Sequence, residues 1–301
     1  MSATGRILDS GVAQAYVRRS KRYARARDLA RRVLLLIAVA AVGMFFLIPL
    51  IWMISTSVKP HDQVWLIPPA WIPREFWWEN FSEPWDALPF PRFYLNTIIV
   101  SVLSVIGMVI SSSMVAFAFA RLRFRGRGVL FLLLLSTLML PSHITLIPQY
   151  VLFNWFGWIN TLQPLWVPTF FSGPFNTFLL RQYMLTISRE MDEAARVDGA
   201  GYFAIYWRII VPLSKPVLGV VAINTFTFHW NDFFGPLIYL TEQNNFTIAL
   251  GLRVLQGDYF QEFPVQHIMS MTLVSILPVM LLFFVAQRYF IQGIVITGVK
   301  G

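Results

Sequence analysis

Long apolar runs separated by short polar connectors dominate this chain. A bilayer core about 30 Å thick takes roughly 20 residues of helix to cross. Residues 33–54 form a charge-free run of that length, 93–120 a second, and 129–150 a third that Pro141 and Pro148 interrupt. Residues 163–180, 216–240 with Asp232 as its only acid, and 268–287 complete the series. Backbone in hydrocarbon must satisfy its own hydrogen bonds, and these runs lack the strict alternation of barrel strands, so helices are predicted. The expected fold is therefore all-α and integral to a membrane, with six transmembrane helices. The expected division is a basic arm at 1–32, a six-helix domain at 33–287 holding a charged loop at 187–216, and a tail at 288–301.

Composition agrees with that pattern. Of 301 residues 56% are hydrophobic and 13% charged, a balance foreign to soluble domains. The placement of Lys and Arg sets the orientation, because short cytoplasmic loops carry the excess. Nine precede Val33, four lie in 121–128, five in 181–215 and two follow Gln287, whereas only Lys59, Arg74, Arg92 and Arg253 fall on the opposite face. Both termini are expected in the cytoplasm of a prokaryotic cell, in a multi-pass protein of its inner or plasma membrane. The net charge of +9 is then explained by topology and anionic lipid rather than by nucleic acid. The run of 22 apolar residues behind the arm is too long for a cleaved signal, so a start-anchor is expected. The absence of cysteine excludes disulfides, thiolate metal sites and a cysteine nucleophile. His143 has no second ligand at a metal-binding spacing.

Two connectors carry little chemistry of their own. Residues 57–91 hold seven prolines and five tryptophans, which forbids a long helix and suits either the aromatic belt at a membrane interface or a partner surface. The arginine-rich stretch from Arg121 to Gly128 is expected to be a tight turn against lipid phosphate. It lacks the Lys-Ser or Lys-Thr that a phosphate-cradling glycine loop requires, so no nucleotide site is expected on this chain.

The island at 187–216 differs. It carries eight charged residues between nearly uncharged spans. Ser188 is a candidate N-cap, and Glu190, Asp192 and Glu193 put negative charge in the first turns of a short helix reaching about Val197. Gly199 and Gly201 are expected to end it, since a sharp reversal calls for a positive φ. Tyr202, Phe203, Tyr206, Ile209 and Ile210 follow at spacings of three and four and should form one apolar face. Such a hairpin is either a docking surface or a flap lying on the bilayer.

Glu193, Ala194, Ala195, Gly199, Ile209 and Pro212 stand at the spacing of the EAA signature, with Val211 where that signature has Leu. The chain thereby resembles the membrane permease subunits of binding-protein-dependent ABC importers. From Val33 onward it resembles the second permease of the maltose-type carbohydrate heterodimers, through 93–97, 116–121, 139–141, 178–182 and 230–233. The resemblance implies a type I importer permease fold, and a hairpin that enters a groove on a nucleotide-binding subunit. Ala194 and Ala195 would allow close approach there, Glu193 would meet a basic group, Gly199 would set the turn, and Asp198, Tyr202, Phe203, Ile209 and Pro212 would complete the surface. It also implies partners: a homologous permease, two ATPase subunits that hold MgATP, and an extracytoplasmic binding protein. No cofactor is implied on this chain, and it is not expected to be an enzyme. Gly298, Val299, Lys300 and Gly301 resemble a tail that contacts the ATPases, where the residues alone suggest a frayed end. Gly257, Asp258 and Tyr259 lie in an outer loop that resembles one probing the binding protein, and that is otherwise a plain connector.

Asp232 is the one acid inside a span, and with Trp230 and Asn231 it is a candidate for the translocation path. The alternative is that it pairs within the bundle or sits near the outer water boundary. The function expected from all this is import of a carbohydrate, with ATPase closure coupled to alternating access. An importer of the same build for peptide or another polar solute is the nearest rival. An ion-coupled carrier would keep the spans but should show intramembrane ion-pathway residues and no hairpin.

Overall fold

The computed structural model describes residues 4–257 and 264–298, with side chains over 27–257, Ser142 apart, and 264–287. Two units are distinguished, 1–56 and 57–301. The first consists of α1 (Thr4–Ser57), one helix that runs through the basic arm into the first apolar run, where mean hydropathy reaches 2.9.

The second unit is organised around α2 (Phe90–Arg121). Its exposed positions are large and apolar: Leu95, Ile98, Val102, Ile106, Ile110 and Met114 recur every three or four residues. Its buried face holds small or polar groups, among them Thr97, Ser101, Ser104, Ser112 and Ser113. This inverts the soluble pattern, because lipid is as apolar as leucine and helices associate through small residues that let backbones approach. Gly107 shows why: a Cβ there would stand 2.3 Å from a ring carbon of Phe170.

The third apolar run is α3 (Arg127–Ser136) and α4 (Ser142–Trp155), bent by 100° at the break where Pro141 excludes helical geometry from the residue before it. The fourth run was expected as a single span and is not one. It consists of a turn at Gln163–Trp166, a 3-10 segment at Val167–Phe171, a break at Ser172 and Gly173, and α5 (Pro174–Thr186). Pro164, Pro168 and Pro174 cannot donate to a continuous ladder, and Ser172 takes φ +71°. The break is held by hydroxyls: Ser172 N–H donates to Ser111 Oγ, Gly173 N–H to Ser112 Oγ, and the Ser172 and Thr177 hydroxyls lie 2.6 Å apart.

After α5 come α6 (Glu190–Val197) and a second arm, Tyr202–Leu213, which turns by 78° into α7 (Lys215–Trp230). The fifth run also breaks. Helix ends at Trp230 and restarts as α8 (Phe234–Tyr239), with Asp232 Oδ1 accepting the Gly235 N–H. Short α9 (Ile248–Leu255) precedes α10 (Val265–Gly298). Among the described residues three helices are long and apolar enough to cross a membrane, or five elements if each bent pair is one span, against the six expected.

Two of the three apolar clusters among the described residues are built on both α2 and α7. One joins α2, α5, the hairpin and α7 through Phe117, Leu180, Met184, Ile205, Ile210 and Val221. The other joins α2, α7, α9 and α10 through Phe93, Trp230, Ile248, Leu255 and Met271. Polar clamps fix the connectors. Asn96 Nδ2 donates to the carbonyls of Asn244 and Phe246, and Thr97 Oγ1 accepts the Ile248 N–H.

Candidate functional site

Ser188 Oγ accepts the N–H of Glu190 at 3.2 Å, but it is not the N-cap expected: Arg189 takes that position without a side-chain cap, and Ser188 closes a short turn just before α6. The helix ends as its sequence predicts at Gly199 but not at Gly201, which is extended at φ −75° as the N-cap of the second arm. Gly199 takes φ +83°, its N–H donates to Arg196 O, and the next N–H, of Ala200, donates to Ala195 O at 2.8 Å. This paired closure satisfies carbonyls that a helix end leaves open, and it needs a residue free to enter the left-handed region. Ala195 and Ala200, brought together by the closure, pack on the cluster beneath.

The second arm is widened into a π turn over Tyr206–Ile210, with Val211 N–H reaching back five residues to Tyr206 O. Pro212 supplies the cause, since it has no N–H for Arg208 O and its ring would crowd that carbonyl. Widening rotates the apolar residues, and the single apolar face expected for this arm is divided in two. Ile205, Tyr206 and Ile210 are buried in the bundle, Ile209 is half-buried, and Tyr202, Phe203 and Trp207 are exposed. Together with Val197, 89% exposed, and Phe203, 72% exposed, they leave a broad apolar surface at the tip. Glu193, Ala194, Asp198, Gly199 and Pro212 are exposed on the same hairpin, and Ala195 is half-buried.

Beneath the tip lies a contact the sequence did not reveal. Arg121, the last residue of α2, is not a lipid-facing turn residue: its side chain is 3% exposed and pairs with Asp192 Oδ2 at 3.2 Å. The same guanidinium donates to Met184 O at 2.8 Å and Ile187 O at 2.9 Å. One side chain thus ties the end of α2 to the end of α5 and the first turn of α6. Burial raises the Asp192 carboxyl above its ordinary value, and Arg121 and Arg189 oppose that shift. A second tie, 2.7 Å between the Ser113 and Tyr206 hydroxyls, joins α2 to the arm. Arg181 stacks 4.2 Å over the Phe131 ring and donates to Phe119 O. The available signal for these ties was an arginine set directly at the end of an apolar run, facing an acid that helix-dipole arguments alone already explained.

The candidate path residues make separate contacts. Trp230 is buried and its indole N–H donates to Ser275 O. Asp232 Oδ1 accepts the Gly235 N–H at the start of α8, while Asn231 is exposed and donates to Thr227 O. Gly257 takes φ +106° at the end of the described outer segment, and Asp258 and Tyr259 lie outside the described residues. Gly298 is the last residue of α10; Val299, Lys300 and Gly301 lie outside the described residues.

Apolar helices around a small-residue hub, two of them broken at prolines, with a charged hairpin locked to the hub's end, define a multi-pass helical membrane subunit. The chain belongs to the family of binding-protein-dependent transport system inner membrane components, whose profile matches residues 108–296. It is 32% identical over 258 residues to the probable ABC transporter permease protein YurM of Bacillus subtilis, covering 84% of this chain and 83% of that one. It is 32% identical to the galactooligosaccharides transport system permease protein GanQ of Bacillus subtilis, over 89% and 94% of the two chains. With the trehalose/maltose transport system permease protein MalG of Thermococcus litoralis the identity is 30%, over 91% and 99%. A chain from the crystal structure of a bacterial ABC transporter that imports the acidic polysaccharide alginate has the same fold, with a TM-score of 0.77 at 24% identity over 86% and 97%.

Proposed function

We propose that this chain is one of two permease subunits of an ATP-driven carbohydrate importer, and that the 187–216 hairpin is where ATPase movement enters it. The observation that carries the proposal is the contrast within the hairpin. Its tip presents Val197, Tyr202, Phe203 and Trp207 to the surroundings, while its base is fixed to α2 by Arg121. A flap lying on lipid would need no such rigid base, whereas a lever must not slip at its fulcrum. The sugar assignment is supported by the relatives, several of which are named for oligosaccharide transport.

In this mechanism MgATP binds and is hydrolysed on two partner subunits, and this chain does no chemistry. Closure of the partners displaces α6. The buried Arg121–Asp192 pair and the Ser113–Tyr206 contact pass that displacement to α2, around which α5 and α7 pack. The hairpin and the tail at 298–301 would meet the ATPases, while Gly257, Asp258 and Tyr259 would meet a binding protein that delivers the sugar.

The test is to purify the chain with its partner permease and ATPase in lipid and to measure MgATP hydrolysis with and without sugar-loaded binding protein. Stimulated hydrolysis is expected, lost or uncoupled in Glu193→Ala and Gly199→Pro. A chain that purifies without ATPase and moves solute down an ion gradient would be a secondary carrier instead.

A further inference from the structure

The bundle contains polar surface that neither the hairpin nor the core uses. A cavity of about 260 Å³ lies between α2, α5 and α7, lined by Met108, Phe175, Asn176, Asn224, Phe228 and His229. A second, of about 480 Å³, lies between α7 and α10 and shares Asn224 and Phe228 with the first. Asn224 is exposed although it sits mid-helix in an apolar run, and Phe228 is exposed beside it one turn on. Side-chain amides and irregular backbone at membrane depth persist where they line an aqueous or ligand-filled space. The broken backbone at Ser172 and Gly173 stands at the same place, since a Cβ on Gly173 would lie 2.9 Å from Met108 Sδ and 3.2 Å from Asn176 Nδ2.

His229 adds an independent observation. Its Nδ1 is closed off from solvent and has no hydrogen-bond partner among the described residues, although the ring lines the cavity. With no accessible surface, Nδ1 does not itself meet the cavity, and a ligand would touch the remainder of the ring.

We propose that this chain holds a neutral saccharide unit of its own, on Asn176, Asn224, Phe228 and His229; the proposal rests on the importer function argued above and gives it a substrate class. Each carboxamide offers an acceptor and two donors, which matches hydroxyls that both give and take hydrogen bonds. The exposed Phe228 ring offers an apolar face for a sugar ring. Among the described residues no Asp, Glu, Lys or Arg lines either cavity, so none of them compensates a carboxylate there, and a uronic acid would be desolvated unassisted. The site lies one to two helical turns before Trp230 and Asp232, which the bundle has already engaged.

Because the chain has no cysteine, single cysteines report on it cleanly. The intact complex in nanodiscs, carrying Asn224→Cys, Phe228→Cys or the buried control Val221→Cys, is treated with a lipid-excluded methanethiosulfonate, and modification of this chain is followed by mass. Positions 224 and 228 are expected to react at least tenfold faster than 221. Maltotriose or raffinose should slow them at least threefold, and an oligouronate of similar length should not. Reaction no faster than at 221, absence of protection by both neutral sugars, or equal protection by the oligouronate overturns the proposal. ATP hydrolysis stimulated by loaded binding protein is measured on the wild-type complex prepared in parallel. Its loss with protection retained refutes the importer function alone, and its presence without protection refutes the subsite alone.

Discussion

Replacing Arg121 by methionine keeps an apolar stem inside the bundle and removes one guanidinium. That group is 3% exposed, sits 3.2 Å from Asp192, whose side chain is 16% exposed, and donates to two carbonyls within 2.9 Å. Removing one member of a buried ion pair costs about 3–5 kcal/mol, most of it from the partner charge left behind. Asp192 retains some access to water, which places the expected loss near the lower end, at about 3 kcal/mol. Asp192→Asn is the informative companion, because Arg121 keeps both carbonyls and only a carboxylate whose charge burial already disfavours is removed, for a loss below about 1 kcal/mol. Thermal melting of the lipid-embedded complex, followed by tryptophan fluorescence, reads the stability. Sugar transported per ATP hydrolysed reads the coupling. Arg121→Met should melt earlier than Asp192→Asn and should keep hydrolysing ATP with little transport, since the hairpin still presents its tip but has lost its fulcrum. Wild-type melting and wild-type transport per ATP in Arg121→Met would refute the reasoning. Equal losses in the two variants would show that the carbonyl contacts contribute nothing.

Three further outcomes are expected. Gly199→Ala places a Cβ in open space at φ +83°, so its cost is backbone strain alone, about 1–2 kcal/mol, and should appear as weakened ATPase association in pull-down without collapse of the bundle. Gly107→Ala drives a Cβ to 2.3 Å from Phe170 and should destabilise by about 1–3 kcal/mol, a loss that Phe170→Ala in the same chain should relieve in part, as read by melting. Burial holds the Asp192 carboxyl above 3.8, so the folded hairpin binds that proton more tightly than the unfolded chain does. Wild type should therefore gain stability relative to Asp192→Asn as pH falls through the raised pKa, with a constant difference at neutral pH; a difference that widens in the opposite direction would contradict the burial.

Local signals carried far in this chain. Apolar run length requires helices in lipid, whatever their partners, and prolines mark where those helices must fail. The end of α6 was legible to the residue, because Gly199 is the type that a left-handed closure accepts, whereas its start was not, since Arg189 and not Ser188 takes the N-cap position. The spacing of Glu193, Ala194, Ala195, Gly199 and Pro212 was enough to suggest the family to which the chain belongs.

What remained hidden is what depends on distant pieces of chain meeting. Run length did not show that 163–180 would fold as three pieces, since Ser172 is held off helix by hydroxyls from α2, some 60 residues away in sequence. The helical period of Tyr202–Ile210 predicts one face, but a π turn forced by Pro212 and a pocket on α2 for Tyr206 divide it. Arg121 looked like a lipid anchor because an arginine ending a span usually is one, and only the folded bundle sets Asp192 against it. Sequence alone determined the helical membrane class, the closure of the hairpin and the signature it carries, because those follow from neighbours along the backbone. Tertiary structure decided which polar side chains are bound and which are left open, because a buried charge or amide takes its role from the groups that packing brings within 3 Å of it.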